Sequence, residues 1–79
     1  ETNKHFNKRV QSFKTWPRGT GIKVSDLLTS GFSYLGIDDK TQCFRCGVII
    51  HQWKKTYNVD KEHALNSVIF PFIKVCNMF

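Results

Sequence analysis

Two cysteines close together, followed at once by a glycine, constrain this chain more than any other feature. Cys43 and Cys46 have the C-x-x-C spacing that lets two thiols reach one ion, and Gly47 eases the tight turn after the second thiol. His63 follows Cys46 after 16 residues, which leaves room for a hairpin and a helix start before the chain returns to the metal. We therefore predict that Cys43, Cys46 and His63 bind one structural zinc ion.

The cysteine pair has two other interpretations. A redox-active pair precedes a helix within a βαβ unit, and the strand pattern around Cys43 contradicts that context. The other interpretation is a pair of unligated core thiols. Zinc is favoured over both because a chain of 79 residues builds only a modest core and commonly needs a metal, disulfides or a partner. The number of cysteines is odd, and Cys43 and Cys46 are too close together in the sequence to staple distant parts of a secreted fold. We therefore expect a reducing compartment, the cytoplasm, with the nucleus as a second location.

The N-terminal part of the chain has the spacing of two helices. Large apolar residues recur at helical intervals until Pro17 ends the run: Phe6, Val10, Phe13 and Trp16. Ser25 is predicted to cap a short second helix that Gly31 terminates.

Three short antiparallel strands are predicted next, over residues 32–35, 41–44 and 48–50. Asp60 is then expected to cap a helix that carries His63, and Pro71 to begin a last helix. This order predicts one α+β domain over residues 1–79. The chain begins at Glu1 without a methionine, so we interpret it as an excised part of a longer protein. No apolar stretch is long enough to span a membrane.

The net charge of +6 raises the alternative of a nucleic-acid-binding zinc module. Basic residues are concentrated near the N-terminus, and Phe13 and Trp16 stand among them. These two aromatic residues occupy the apolar helical face, which predicts burial rather than base stacking. We therefore expect the basic residues to form a solvated surface.

Several segments resemble one known family. Residues 9–17 are similar to the pattern R-L-x-[ST]-F-x-x-W-P, residues 27–36 to L-A-x-A-G-F-x-Y-x-G, and residues 43–47 to C-F-x-C-G. Further positions fall in register with that pattern: Ile50, Trp53, Glu62 and His63. Together these motifs resemble the BIR domain of inhibitor-of-apoptosis proteins, and the match is dispersed over residues 9–63.

The resemblance implies a three-stranded antiparallel sheet with four or five short helices around one zinc held by three cysteines and a histidine. It also implies a protein–protein interaction module that regulates cell death or innate signalling by binding caspases, their antagonists or signalling adaptors. Catalysis is not expected, because the sequence shows no nucleophile with a convincing base and no phosphate-binding glycine loop.

The chain departs from the family at the fourth zinc ligand. The family places its third cysteine seven positions after the histidine, where this chain has Phe70. Cys76 is the remaining thiol, six residues further on. Either the segment 64–75 delivers Cys76 to the metal, or water completes a three-ligand site, or the metal is lost. Of these we expect Cys76, although it could also be a small apolar residue of the last helix.

A second departure concerns the family's peptide groove, in which an Ala-led peptide adds beside the third strand. Relatives that bind such peptides carry an acidic residue four positions after the tryptophan and a second tryptophan three positions after the histidine. This chain has Tyr57 and Asn66 there, so we expect a BIR domain without the groove, with peptide binding as the alternative. The candidate groove residues are Ile49, Ile50, His51, Gln52, Trp53, Tyr57, Glu62 and Asn66.

Overall fold

In this computed structural model, the backbone is described for residues 1–76 and the side chains for residues 1–67. The helices and strands, in chain order, are α1 (Asn3–Ser12), two 3-10 turns (Phe13–Thr15 and Arg18–Thr20), α2 (Val24–Thr29), β1 (Phe32–Tyr34), β2 (Thr41–Cys43), β3 (Ile49–Ile50) and α3 (Val59–Cys76). These five helical segments around three strands confirm the predicted α+β class. No helix in the described part of the chain combines the length and apolar character that a bilayer crossing requires.

The strands form one antiparallel sheet in the order β1-β2-β3, as the alternating pattern predicts. Phe32 pairs with Cys43, and Thr41 pairs with both Tyr34 and Ile50. Because residues two apart share a face of a strand, this register places Phe32, Tyr34, Thr41 and Cys43 on the buried face. The first candidate ligand therefore stands at the end of the central strand, beside the first residue of β1.

Helix α1 begins earlier than the first apolar residue predicts, because the Thr2 hydroxyl accepts a hydrogen bond from the backbone N–H of His5. Its last turn tightens into the 3-10 turn before Pro17. Phe13 and Trp16 are buried, whereas Phe6 and Val10 are each 41% exposed. Only the C-terminal half of the predicted apolar face therefore reaches the core.

Three predicted helix boundaries are wrong. Ser25 lies inside α2, which begins after Lys23 without a side-chain cap. At α3 the side chain of Asn58, not that of Asp60, accepts the hydrogen bond from the backbone N–H of Lys61. Asp60 lies instead in the first turn, where a carboxylate interacts favourably with the helix dipole. Pro71 does not begin a helix, because α3 continues through it at the cost of one backbone hydrogen bond.

The core away from the candidate ligands is an aromatic cluster formed by Phe13, Trp16 and Tyr34. Their ring centroids are 5.5 Å apart for Phe13 and Trp16, 5.1 Å for Trp16 and Tyr34, and 6.1 Å for Phe13 and Tyr34. Two of these contacts are edge-to-face, a geometry that aromatic quadrupoles favour. The cluster packs the end of α1 against β1.

A buried arginine also ties α1 to β1. Arg9 donates hydrogen bonds from one guanidinium nitrogen to the carbonyls of Leu28, at 3.1 Å, and Phe32, at 2.9 Å. Its other nitrogens bind the carboxylate of Glu1 at 2.6 and 2.8 Å. A buried charge needs such partners, because each unpaired ion in an apolar interior is costly. Arg9 therefore fixes the backbone on both sides of the loop between α2 and β1.

Candidate metal centre

The structure brings Cys43, Cys46 and His63 together. One potential ligand atom from each lies within 4.8 Å of the others. In a tetrahedral zinc site, bonds of about 2.3 Å to sulfur and about 2.0 Å to nitrogen place two sulfurs about 3.8 Å apart and a sulfur and a nitrogen about 3.5 Å apart. The Cys46 sulfur and Nε2 of His63 are 3.4 Å apart. The three side chains can therefore converge on one zinc-sized ion with small movements.

A tight turn after β2 delivers the two sulfurs. The Gly47 N–H donates to the Cys43 carbonyl at 2.9 Å, and Gly47 adopts a φ of +78°, which glycine accepts without strain. The Arg45 N–H points at the Cys43 sulfur at 3.4 Å. Such a backbone donor stabilises the negative charge of a thiolate.

Gly31 leaves room for the buried Cys43 sulfur. A Cβ at position 31 would lie 3.2 Å from that sulfur, and the φ of +98° there is one that residues with side chains rarely adopt. The Gly31 carbonyl also accepts a hydrogen bond from the Phe44 N–H at 3.0 Å. The loop before β1 is thereby held directly against the cysteine turn.

Two residues orient His63: Ser30 at the end of α2 and Phe32 at the start of β1. Its Nδ1 lies 2.8 Å from the Ser30 hydroxyl oxygen, and its ring centroid is 4.7 Å from that of Phe32. When Nδ1–H donates to Ser30, the lone pair of Nε2 faces Cys46 and is free to bind a metal. Ser30 was not predicted as a site residue. The sequence offered one indication of its role, because Ser30 stands where the pattern L-A-x-A-G-F-x-Y-x-G has its second alanine.

The surroundings of Cys46 favour its thiolate form. Desolvation acts to raise the pKa of the Cys46 thiol, but hydrogen bonds, led by those from the Ser67 hydroxyl and the Val48 backbone, outweigh desolvation and lower the pKa from 9.0 to about 6. A deprotonated sulfur is the form that binds metal ions. The donor set, two thiols and an imidazole, is of the type found in structural zinc sites.

Cys76, expected as the fourth ligand, and Phe70, which stands where the family has its third cysteine, both fall on the later part of α3. The side chains of Cys76 and Phe70 lie outside the described residues. Cys76 as the fourth ligand therefore stays a prediction.

The candidate groove residues lie on and after β3, at one edge of the sheet. β3 is the edge strand next to β2, and within the described residues nothing pairs with its outer edge. Ile49 is 48% exposed there, whereas Ile50 and Trp53 are buried. The buried Trp53 indole donates to the Thr41 hydroxyl at 3.2 Å and stacks edge-to-face on Phe32. His51 and Gln52 are exposed, and Tyr57, Glu62 and Asn66 are partly buried.

The two positions that carry peptide anchors in the family make intramolecular contacts here. Tyr57 is partly buried and packs against the hydrophobic core. The Asn66 side-chain amide donates to the Glu62 carbonyl one turn earlier in α3, at 2.7 Å. Neither residue brings a carboxylate or an indole to the edge of β3.

The fold and the site together define a small α+β domain that gathers two cysteines and a histidine between a three-stranded sheet and a helix. The BIR family, described as the Inhibitor of Apoptosis domain, matches residues 9–74. The chain belongs to this family, and the resemblance seen in the sequence is confirmed.

Several relatives extend that assignment. The chain is 36% identical over 69 residues to Baculoviral IAP repeat-containing protein 7 of Xenopus tropicalis, covering 86% of this chain and 19% of the relative. It is 37% identical over 68 residues to the human Baculoviral IAP repeat-containing protein 3, covering 86% of this chain and 11% of the relative. The chain is 34% identical over 55 residues to the rat E3 ubiquitin-protein ligase XIAP, covering 70% of this chain and 11% of the relative. The chain thus spans a small part of each relative.

Proposed function

We propose that this BIR domain is a zinc-stabilised protein–protein interaction module that acts in the regulation of apoptosis or innate signalling. The observation that carries the proposal is the convergence of Cys43, Cys46 and His63 within 4.8 Å in a chain of the BIR family. Zinc here has a structural role, since it would join the β2 turn to α3 and the site shows no acid–base pair positioned for catalysis within the described residues. The module works in a reducing compartment, where both thiols stay available to the metal.

Native mass spectrometry tests the zinc assignment. We expect one zinc per chain in the wild type and in a His51→Ala variant, because His51 is exposed and is not among the side chains that converge at the candidate metal centre. We expect His63→Ala to lose the ion, since two thiolates alone leave the coordination half complete. Retention of a full zinc equivalent in His63→Ala would show that this histidine is not a ligand.

The partners we propose are caspases, their antagonists or signalling adaptors, bound without the Ala-led-peptide groove. A free amine at a peptide N-terminus needs a charge-assisted hydrogen bond, and the Tyr57 hydroxyl supplies no charge. The partly buried Asn66 amide is already bonded to Glu62, and it provides no apolar wall for the peptide's second residue. These two substitutions support a domain that binds its partner through another surface.

Calorimetry with an Ala-Val-Pro-Ile peptide tests the groove. We expect no binding at low micromolar concentration, which means that the binding free energy is weaker than about −8 kcal/mol. As a matched comparison, the double variant Tyr57→Glu and Asn66→Trp restores both anchors and should bind more tightly than the wild type. Low-micromolar binding by the wild type would establish the peptide groove instead.

Burial also supports a protein partner over a nucleic acid. Phe13 is 6% exposed and Trp16 is 8% exposed, so neither ring is available to stack on a base. Fluorescence titration with a random oligonucleotide at low salt is expected to show no binding, and binding with a steep salt dependence would favour the nucleic-acid alternative.

A further inference from the structure

Ser67 lies one helical turn after His63 and faces the same sulfur. Its hydroxyl oxygen is 3.4 Å from the Cys46 sulfur, and Nε2 of His63 is also 3.4 Å from that sulfur. Positions four apart lie on the same face of a helix, so both side chains project from α3 toward the cysteine turn. Within the described residues, α3 thus presents two donor atoms to the metal centre.

The distance from Ser67 to Cys46 fits a shared coordination sphere. With bonds of about 2.3 Å to sulfur and about 2.0 Å to oxygen, two corners of a zinc tetrahedron occupied by these atoms are about 3.5 Å apart. The observed separation of 3.4 Å matches that edge. Three residues between two helical ligands is also a spacing that tetrahedral zinc sites use.

We propose that Ser67 occupies the fourth corner of the metal centre and supplies an oxygen donor beside two thiolates and one imidazole. The inference rests on the proposed zinc function. It follows from the preference of structural zinc sites for four ligands, from the approach of the Ser67 hydroxyl to Cys46, and from the place of Ser67 on the helix that carries His63.

The course of α3 favours Ser67 over the thiol expected from the sequence. Cys76 comes thirteen residues after His63 in the same helix, Val59–Cys76. A regular helix rises about 20 Å over that length, whereas a zinc–sulfur bond is about 2.3 Å. Ser67 reaches the cysteine turn from one turn away without any break in the helix.

Cobalt substitution tests the inference through a spectroscopic readout. Cobalt(II) occupies zinc sites, and the intensity of its thiolate-to-metal charge-transfer band rises with the number of bound sulfurs. We expect the wild type to show the band of two thiolates. Ser67→Cys should show the band of three thiolates and bind cobalt about ten-fold more tightly or more, because thiolate is the better ligand for this class of ion.

Two further variants complete the test. Ser67→Ala is expected to weaken cobalt binding about ten-fold, and Leu65→Ala, an exposed change on the same helix, should leave affinity and spectrum unchanged. Cys76→Ser should keep the two-thiolate spectrum of the wild type.

The outcomes separate this inference from the proposed function. If the wild type binds neither cobalt nor zinc, the zinc proposal itself fails. If the wild type binds cobalt through three thiolates and Cys76→Ser loses one of them, Cys76 holds the fourth corner and the Ser67 assignment is overturned. An unchanged two-thiolate spectrum in Ser67→Cys would equally show that position 67 does not reach the ion.

Discussion

The two halves of this domain are stabilised by different means. The aromatic cluster of Phe13, Trp16 and Tyr34 joins the end of α1 to the sheet through ring packing. Hydrogen bonds beside it come from Arg9 and from the Tyr34 N–H to the Ser12 hydroxyl. The candidate metal centre brings the β2 turn and α3 together through three side chains whose donor atoms lie within 4.8 Å of one another. One half depends on buried apolar area, and under the proposed zinc function the other half depends on a metal ion.

Phe32 lies between the two halves. It is fully buried, its ring contacts both Trp53 and His63, and its carbonyl accepts a hydrogen bond from Arg9. We therefore expect substitutions of two kinds. Some destabilise the fold without changing metal binding, and others change both. Phe32 belongs to the second kind.

Removing the metal should have the largest effect. In small zinc domains the ion contributes on the order of 10 kcal/mol, and a core of this size has little stability in reserve. We expect the chelated chain to lose its cooperative thermal transition by circular dichroism and to regain it when zinc is added back. If the near-ultraviolet signal of Trp16 and Tyr34 persisted after metal loss, the aromatic half would be shown to fold alone.

Core truncations on the two sides should cost similar free energy and differ in their effect on zinc. Phe13→Ala and Phe32→Ala each remove a buried ring, for which about 3–5 kcal/mol of unfolding free energy is expected. Only Phe32→Ala should also weaken zinc binding, because the His63 ring packs on Phe32 and not on the aromatic cluster. Denaturation at saturating zinc measures the first quantity and a competitive chelator titration measures the second. Equal zinc affinity in both variants would remove Phe32 as the link.

Arg9→Met should have a smaller effect, about 1–3 kcal/mol of unfolding free energy. The methionine keeps much of the apolar volume but leaves the Leu28 and Phe32 carbonyls without their donor. Arg9→Lys is the matched comparison, since a single ammonium keeps the charge and loses the planar fork. Urea denaturation of both variants at saturating zinc provides the measurement. Stability equal to the wild type in Arg9→Met would show that water replaces both hydrogen bonds without cost.

The sequence predicts the sheet, the family and the convergence of Cys43, Cys46 and His63, because strand alternation and motif spacing can be read along the chain. The strands alternate with period two, and the cysteine turn is marked by Gly47. Helix caps are predicted less well, because several polar residues near α3 could cap it and tertiary context decides among them. Asn58 caps α3 where Asp60 was expected.

Several polar contacts that hold the domain together join residues far apart in the chain. Ser30 meets His63 across 33 residues, and Arg9 reaches Phe32 across 23. No periodicity in the sequence encodes such pairs, since they follow from the way α1, α2 and α3 pack on the sheet. These contacts were therefore found only in the structure.

Ser30→Ala should give the smallest effect, confined to the metal half. The alanine fits the helical end of α2 and removes only the hydroxyl that lies 2.8 Å from Nδ1 of His63. Without that partner the imidazole is less firmly held with Nε2 toward Cys46, and loss of such an outer contact typically weakens metal binding about ten-fold, or about 1.4 kcal/mol. Ser30→Thr, which retains a hydroxyl, should restore most of the affinity. A chelator titration measures zinc affinity, and denaturation at saturating zinc should show little change in either variant. Thr29→Ala removes a hydroxyl that bonds only within α2, to the Ser25 carbonyl, and serves as the control. Equal losses in Thr29→Ala and Ser30→Ala would mean that α2 is destabilised generally and that Ser30 does not orient the histidine.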